Sequence, residues 1–476
     1  MIFYILGWVL KIESVSMVIP LICALHYKEI PETYVWIGCI AICFVIGLLL
    51  SIKQPSNKIM YAREGFVAVA LSWIFMSLFG ALPFMLSGHI KSFVDAFFEI
   101  VSGFTTTGAS ILTDVEALPK SLLMWRSLSH WIGGMGVLVF LMAIVPLSGG
   151  GNVHLLKAES PGPSVSKLVP KLKSTAMILY AIYIVLTLTQ IILLLFGGLD
   201  LFSSLALSFG TAGTGGFSIL NSGVATYSPY VQYVITIFMI LFGIDFSLYY
   251  ALLLREAKSI LKSSELKVYL GIIAMSILLI FVNTRWMFET AEEAFRHIAF
   301  TVGSIITTTG YSATDFNLWP EFSRVILVIL MFVGACAGST GGGIKVSRIL
   351  ILIKSIGKEV RTSVHPRTTL KLKMNGRIIP HETVRGVNVY MAAYIMIFFG
   401  AFLLISLDNF DFTTNFTAIV ATLNNIGPGL NMVGPMGNFS EFSGFSKIIM
   451  SICMLIGRLE IFPMLLLFSP HTWTKK

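Results

Sequence analysis

The chain has 476 residues, of which 56% are hydrophobic and only 12% are charged, with a formal net charge of +9. That balance excludes a soluble globular protein and places the chain in a membrane. No basic, aromatic-interleaved domain exists to bind nucleic acid, so the positive charge reports topology and contact with anionic lipid. Spans of roughly 20 apolar residues, enough to cross ~30 Å of hydrocarbon, fall near 4–26, 34–52, 65–87, 122–146, 175–196, 229–253, 268–283, 323–353, 387–407 and 446–468. The first carries Lys11 and Glu13 and lacks a small-residue cleavage pattern, so it reads as a retained span rather than a signal. Four shorter apolar stretches, 93–104, 199–210, 291–305 and 412–423, lie between later spans and are too short to cross.

Orientation follows from the basic residues, which stay on the cytoplasmic side. Lys53, Lys58 and Arg63 lie in segment 53–64; Lys157, Lys167, Lys171 and Lys173 in 147–174; Arg255, Lys258, Lys262 and Lys267 in 255–267. Segment 345–385 carries ten, from Lys345 to Arg385. Ten crossings put these four connections on one side, with both termini cytoplasmic. The opposite connections hold most of the acids, including Asp95, Glu99, Asp114, Glu116, Asp200, Glu289, Glu292, Glu293, Asp315, Asp408 and Asp411. An acidic outer vestibule of this kind concentrates cations.

Each short stretch runs into a glycine held in a similar frame: Thr105-Thr106-Thr107-Gly108, Gly213-Thr214-Gly215-Gly216, Thr307-Thr308-Thr309-Gly310 and Asn424-Asn425-Ile426-Gly427. The four glycines recur at intervals of roughly 100 residues, as one supersecondary unit repeated four times would place them. Each unit reads as span, half-helix, glycine strand, span. A re-entrant half-helix leaves on the side it entered, so every unit contains two crossings and all four point the same way. Parallel units around an axis make a pore, whereas inverted repeats are the plan of many alternating-access carriers. Rings of backbone carbonyls replace the hydration shell of a monovalent cation, and Thr309-Gly310-Tyr311 is close to the potassium-channel signature Thr-Val-Gly-Tyr-Gly.

The second span of the third unit is interrupted by Gly334-Ala335-Cys336-Ala337-Gly338-Ser339-Thr340-Gly341-Gly342-Gly343. Glycine at five of these ten positions disfavours continuous helix by up to ~1 kcal/mol each relative to alanine. An unwound loop beneath the glycine strands is expected. Close packing through small residues and a phosphate-cradling loop are alternatives; the latter lacks its Gly-Lys-Ser/Thr ending. Arg458 falls within the last span, where a charge implies a role or a partner. Counted along their helices, Arg458 and Gly338 lie at one level under the filter, so Arg458 reads either as a positive constriction or as the partner of Glu460 or Asp245.

Other constellations carry less. Cys23, Cys39, Cys43, Cys336 and Cys453 lie in spans without a Cys-x-x-Cys pair, which fits packing residues better than a metal or disulfide site. Ser110 with His130 would suit an intramembrane hydrolase, but Ser110 belongs to the repeated frame and no oxyanion arrangement is legible; no enzymatic activity is expected. Arg126, His130, Gly133, Gly134 and Gly136 read as helix-packing and outer-mouth residues. His365 and His381 lie in the basic segment 357–385, either a solvated linker or a docking surface.

On these residues the chain resembles the Trk/Ktr/HKT superfamily of potassium transporters, and most closely its bacterial TrkH-type members. The resemblance covers nearly the whole chain and rests on Thr-Thr-Thr-Gly in units one and three, Gly-Gly-Phe in unit two, Asn-Asn-Ile-Gly-Pro-Gly in unit four, Gly-Ser-Thr-Gly-Gly-Gly-Ile-Lys, and Gly457-Arg458. It implies an all-α polytopic membrane protein, with two N-terminal spans (1–60) followed by four parallel span–pore half-helix–span repeats (61–150, 151–257, 258–375 and 376–476) around a central pore. It implies a potassium-binding filter of Thr106, Thr107, Gly108, Thr214, Gly215, Gly216, Thr308, Thr309, Gly310, Asn425, Ile426 and Gly427. The gate would comprise Gly338, Ser339, Thr340, Gly341, Gly342, Gly343, Lys345 and Arg458. Gated potassium uptake across a bacterial inner membrane is the implied function, with a proton- or sodium-coupled symporter as the alternative. It further implies a homodimer and a cytoplasmic ring of TrkA-type subunits that bind nucleotide, with no cofactor in this chain. Asp245 matches no motif and is left unassigned.

Overall fold

The computed structural model describes residues 1–54, 62–136, 172–255, 260, 262–367 and 370–473, and is almost entirely helical. The N-terminal pair consists of α1 (Ile2–Ser16) continued by α2 (Val18–His26), then α3 (Ile30–Ser51) returning beside them. Pro20 lies in the first turn of α2 and has no N–H to extend the helix of α1, which is why the expected span divides at Met17. Facing glycines set the distance between α1 and α3. A Cβ on Gly47 would lie 2.8 Å from the Gly7 carbonyl oxygen, and one on Gly7 would lie 2.7 Å from that of Gly47. With lipid on the outer faces, such backbone proximity, rather than a hydrophobic drive, associates the helices.

The four repeats follow. Repeat 1 has α4 (Ala62–Gly80) with α5 (Leu82–Leu86), half-helix α6 (Phe93–Phe104) and α7 (Lys120–Met135). Repeat 2 has α8 (Leu172–Phe196), half-helix α9 (Leu201–Gly213), then α10 (Pro229–Phe242) and α11 (Phe246–Leu253). Repeat 3 has α12 (Ser264–Thr284), half-helix α13 (Ala291–Ile306), α14 (Glu321–Val333) and α15 (Val346–Val364). A two-stranded hairpin, β1 (Lys373–Met374) with β2 (Arg377–Ile378), leads into repeat 4: α16 (His381–Ile405), half-helix α17 (Phe412–Leu423), α18 (Gly444–Arg458), α19 (Phe462–Phe468) and the short α20 (Pro470–Trp473).

Each half-helix begins on a capping side chain at its outer end. Ser92, Asp200, Thr290 and Asp411 accept from the amides of Asp95, Phe202 and Ser203, Glu293, and Thr414 respectively. The caps satisfy first-turn donors that have no carbonyl partner of their own. This repeated Ser/Asp/Thr position was available in the sequence as a start signal for all four.

Among the described residues, six helices are long and apolar enough to cross a membrane, seven if the bent pair α10–α11 counts as one. The difference from ten has a structural cause, because the second spans of repeats 2, 3 and 4 break partway. Helices α10 and α11 meet at 90° around Gly243 and Ile244; α14 and α15 are separated by residues 334–345; α18 stops at Arg458 before α19. In repeat 1, α7 ends at Gly136, and the rest of the expected span 122–146 lies outside the described residues. The break expected for repeat 3 alone is thus shared by repeats 2 and 4. Substituting Gly47→Val is expected to overpack α1 against α3 and cost ~1–3 kcal/mol, visible as a lowered melting temperature of the detergent-purified protein; an unchanged melting curve would contradict this packing.

Candidate functional site

The glycine strands begin with one backbone device used four times. Thr106, Thr214, Thr308 and Asn425 adopt left-handed conformations, with φ of 55°, 57°, 59° and 56°. The next residue's amide then reaches back five positions: Thr107 to the Ser102 carbonyl, Gly215 to Gly210, Thr309 to Ser304 and Ile426 to Ala421, at 2.8–2.9 Å. This is the Schellman termination, which satisfies the last carbonyls of a helix and reverses the chain. Glycine is its usual left-handed residue, and threonine there carries a steric cost of ~1–2 kcal/mol. Three of the four repeats accept that cost.

Beyond the turn the strands close into a ring. A Cβ on Gly108 would fall on the carbonyl oxygen of Gly215, one on Gly216 on that of Thr309, one on Gly310 on that of Ile426, and one on Gly427 against that of Thr107. Each strand's glycine therefore abuts the carbonyl of the next, in the cyclic order one, two, three, four. All four glycines have positive φ, between 75° and 97°. Both the space and the backbone conformation call for glycine. The twelve filter residues expected from the sequence lie on these four strands, and Thr106, Thr107, Thr214, Thr308, Thr309, Asn425 and Ile426 are buried.

Polar braces behind the strands differ from repeat to repeat. Arg126 donates through Nε to Glu99 at 2.8 Å and through Nη1 to the Ser218 carbonyl at 3.2 Å, tying repeat 1 to the strand of repeat 2. Glu99 also accepts from the Ser110 hydroxyl and the Ile111 amide, each at 3.0 Å. His130 Nδ1 lies 2.8 Å from the Gly103 carbonyl, and its Nε2 accepts from the Phe217 amide at 3.3 Å, so the ring bridges half-helix α6 and the second strand. Tyr311 donates its hydroxyl to the Leu207 carbonyl at 3.1 Å. Lys447 joins Asp95 at 2.6 Å, linking repeat 4 to repeat 1.

These pairs correct the expectation of an outer vestibule lined by all the acids, because Glu99 is fully buried against Arg126 and Asp95 is engaged by Lys447. Asp114 and Glu116 do lie exposed, gathered by Asn221, whose amide donates to Asp114 at 2.8 Å and holds that carboxyl below its ordinary range. Ser110 and His130 engage separate partners, Glu99 and the Gly103–Phe217 pair.

Beneath the strands, the broken second spans meet. The Cys336 amide donates to the Gly243 carbonyl at 3.1 Å, Phe246 to the Gly338 carbonyl at 3.1 Å, and the Thr340 hydroxyl to the Phe242 carbonyl at 3.2 Å. The Gly342 amide donates to the Thr308 hydroxyl at 2.6 Å and that of Gly343 to the Asn424 carbonyl at 3.0 Å, so the glycine-rich loop touches two of the four strands directly. Lys345 Nζ closes the loop on itself by donating to the Gly341 carbonyl. Ser339 is buried within the same segment, its hydroxyl donating to the Cys336 carbonyl at 2.6 Å.

Arg458 joins this layer as the depth count predicted. It donates to the Thr340 carbonyl at 2.8 Å, to the Gly134 carbonyl at 2.8 Å and to the Gly133 carbonyl. Gly133 and Gly134 lie in the last turn of α7, the partially negative end of a helix, where a cation is favoured, and the Gly133 carbonyl also accepts from the Gly136 amide at 3.0 Å. The acids considered as partners for Arg458 are engaged otherwise: Glu460 pairs with Arg348, and Asp245 caps α11 by accepting from the Ser247 amide at 2.8 Å. Asp245 also faces the loop, 2.6 Å from where a Cβ on Gly338 would sit.

Sequence reasoning missed Glu99 as a brace, since a carboxylate in a short outward stretch reads as vestibule, and it missed the part Glu265 plays at the loop. The five cysteines are buried and free. The Arg126–Glu99 pair gives a stability prediction: Arg126→Met leaves a buried carboxylate unpaired and is expected to cost ~3–5 kcal/mol, while adding Glu99→Gln recovers part of the loss. Thermal denaturation of both variants in detergent checks this, and equal destabilisation would rule out coupling between the two side chains.

Residues 33–475 match the profile of the TrkH family, described as cation transport proteins. The "Trk system potassium uptake protein TrkH" of Escherichia coli strain K12 is 35% identical over 477 residues, covering 98% of each chain. The protein of the same name from Halomonas elongata is 34% identical over 482 residues, covering 100% of this chain and 99% of its own. The crystal structure of the potassium transporter TrkH from Vibrio parahaemolyticus superposes with a TM-score of 0.89 at 31% identity, covering 99% of both chains. The similarity thus spans the N-terminal spans, all four repeats and the broken layer beneath the strands, and the chain belongs to the TrkH family of cation transport proteins.

Proposed function

We propose that this chain is a potassium uptake pore of the bacterial inner membrane, with a carbonyl-lined filter selective for potassium and rubidium over sodium and lithium. The observation that carries the proposal is the cyclic closure of the four glycine strands, in which each strand's glycine abuts the next strand's carbonyl. Rings of backbone carbonyls substitute for the hydration shell of a monovalent cation. The half-helices support it by directing their partially negative C-terminal ends toward the level beneath the filter, where a cation is favoured. Thr106, Thr107, Gly108, Thr214, Gly215, Gly216, Thr308, Thr309, Gly310, Asn425, Ile426 and Gly427 supply the lining.

The gate in this proposal is the glycine-rich loop with Arg458. Gly338, Ser339, Thr340, Gly341, Gly342 and Gly343 obstruct the path, and Arg458, always charged, adds a positive barrier held against the Thr340 carbonyl. Opening would withdraw the loop while the filter persists. The resemblance to characterised relatives supports three further proposals: a homodimer, cytoplasmic termini, and control by a nucleotide-binding TrkA-type ring. The basic helix α15 and its hairpin, with Ile353, Ile356, Val360 and Val364 largely exposed, fit a surface for such contacts.

Ion flux into proteoliposomes holding this chain alone tests the filter. Potassium and rubidium are expected to enter faster than sodium and lithium, without accompanying proton flux, and Gly108→Ser is expected to narrow the preference in a folded protein. Obligatory proton or sodium movement would establish a symporter instead, and an unchanged ion ratio in Gly108→Ser would overturn the filter.

The gate is tested separately. Deleting residues 338–343 is expected to raise open probability with little effect on selectivity. Arg458→Ala is expected to raise potassium flux several-fold, since even ~1–4 kcal/mol of repulsion at 4 Å is removed, with Arg458→Lys retaining part of the barrier. A destabilised Arg458→Ala variant without added flux would assign the arginine to bracing alone.

A further inference from the structure

Glu265 touches both ends of the glycine-rich loop. It lies in the first turn of α12, at the start of repeat 3. One carboxylate oxygen accepts from the Ala337 amide at 2.7 Å, just before Gly338, and from the Ser347 amide at 3.1 Å, just after the loop has become helix α15. The two ends of the loop thus share one acceptor, while the residues between them are held by their own bonds to neighbouring repeats, Thr340 against Phe242 and Arg458 among them.

The need for that acceptor is built into the sequence. Helix α15 starts at Val346 after Lys345, whose φ of 82° is left-handed and whose side chain supplies no cap. A helix start leaves amides without carbonyl partners and a partial positive charge, and both favour a carboxylate. The Ala335 carbonyl meets the Val346 amide at 3.1 Å from within the loop, and Glu265 meets the next amide, that of Ser347, from another helix. Any withdrawal of the loop that moves Ala337 away from Ser347 breaks at least one of these charge-assisted bonds. The preceding residue, Ser264, donates its amide at 2.7 Å to Asn375 in the turn between β1 and β2, so the same helix end also carries the hairpin.

We propose that Glu265 is a positioning residue for the gate: its carboxylate latches the two ends of the loop together in the blocking position, and opening requires its release. The inference rests on the blocking role proposed above for the loop. It is distinct from the barrier assigned to Arg458, because Glu265 sets how often the loop withdraws and does not meet the ion.

Single-channel recording of the full chain in planar bilayers tests it, with Glu265→Ala, Glu265→Gln, the 338–343 deletion, and that deletion combined with Glu265→Ala. Glu265→Ala is expected to raise open probability by roughly tenfold, as loss of a charge-assisted hydrogen bond predicts, with conductance and the potassium-to-sodium permeability ratio unchanged. Glu265→Gln keeps an acceptor oxygen without the charge and is expected to give a smaller rise; it also carries the test should the alanine variant fail to fold. On the loop-deleted background Glu265→Ala is expected to add nothing, as for two changes acting through one element. Wild-type open probability in a folded Glu265→Gln and Glu265→Ala, or an additive effect on the loop-deleted background, would overturn the latch. If the loop deletion itself left open probability unchanged, the blocking reading would fall, and the latch with it; a deletion that opens the pore beside silent Glu265 variants would sink the latch alone.

Discussion

Backbone that leaves the helix at membrane depth must find every hydrogen bond inside the protein, and the rest of this structure follows from that requirement. Four strands and the broken spans of repeats 2, 3 and 4 expose amides and carbonyls where no lipid can answer them. The strands answer through the Schellman bonds of their half-helices, and the breaks answer one another. Gly243, Phe242, Gly338 and Cys336 exchange bonds between repeats 2 and 3; Asn424 of repeat 4 accepts from Gly343; Arg458 closes the free end of α7 in repeat 1. The layer under the filter is thus a meeting of chain ends from all four repeats, and its elements are free to move only together or by giving up specific bonds.

Fourfold order is strict in the backbone and loose in the side chains. The left-handed turns and the ring of glycine-to-carbonyl approaches repeat with little variation, because a ring in which each glycine abuts the next strand's carbonyl leaves no room for a side chain. Behind the strands, Arg126 with Glu99, His130, and Tyr311 each solve the support of one strand differently. Gly457 shows the same economy at the fourth repeat, where a Cβ would fall on the Leu423 carbonyl and 2.7 Å from Asn425 Oδ1. Helix α18 passes the end of half-helix α17 only because that position has no side chain.

Charge is divided by depth in a way that serves transport of a cation. Carboxylates stand exposed at the outer mouth as Asp114 and Glu116, whereas Lys345, Arg348 and Arg458 gather beneath the filter, with Arg348 joined to Glu460. Negative and positive side chains thus stand on opposite sides of the ring of strands. Glu265 belongs to this lower layer, yet its acceptor is turned to backbone amides, and it acts on the shape of the loop rather than on the charge of the path.

The amino-acid sequence by itself determined the membrane class, the two N-terminal spans, the four half-helices and the glycine of each strand, since apolar length, short interrupted stretches and a recurring Gly are local signals. It also determined that 334–345 would unwind, because glycines cluster there, and that Arg458 would reach its level, because helical rise fixes depth. Tertiary structure decided the rest. The break at Gly243 carries a single glycine and is met by the Cys336 amide of repeat 3, whereas the break after Arg458 carries none and closes within repeat 4, where the Ile461 amide donates to the Ile456 carbonyl at 2.9 Å. Glu99 looked like vestibule until the fold placed Arg126 beside it, and Glu265 is an ordinary first-turn acid until α15 brings its uncapped start against it. A residue's neighbours 72 or 82 positions away are set by how helices pack, and hydrogen bonds of that range leave no period or spacing in the chain to be read.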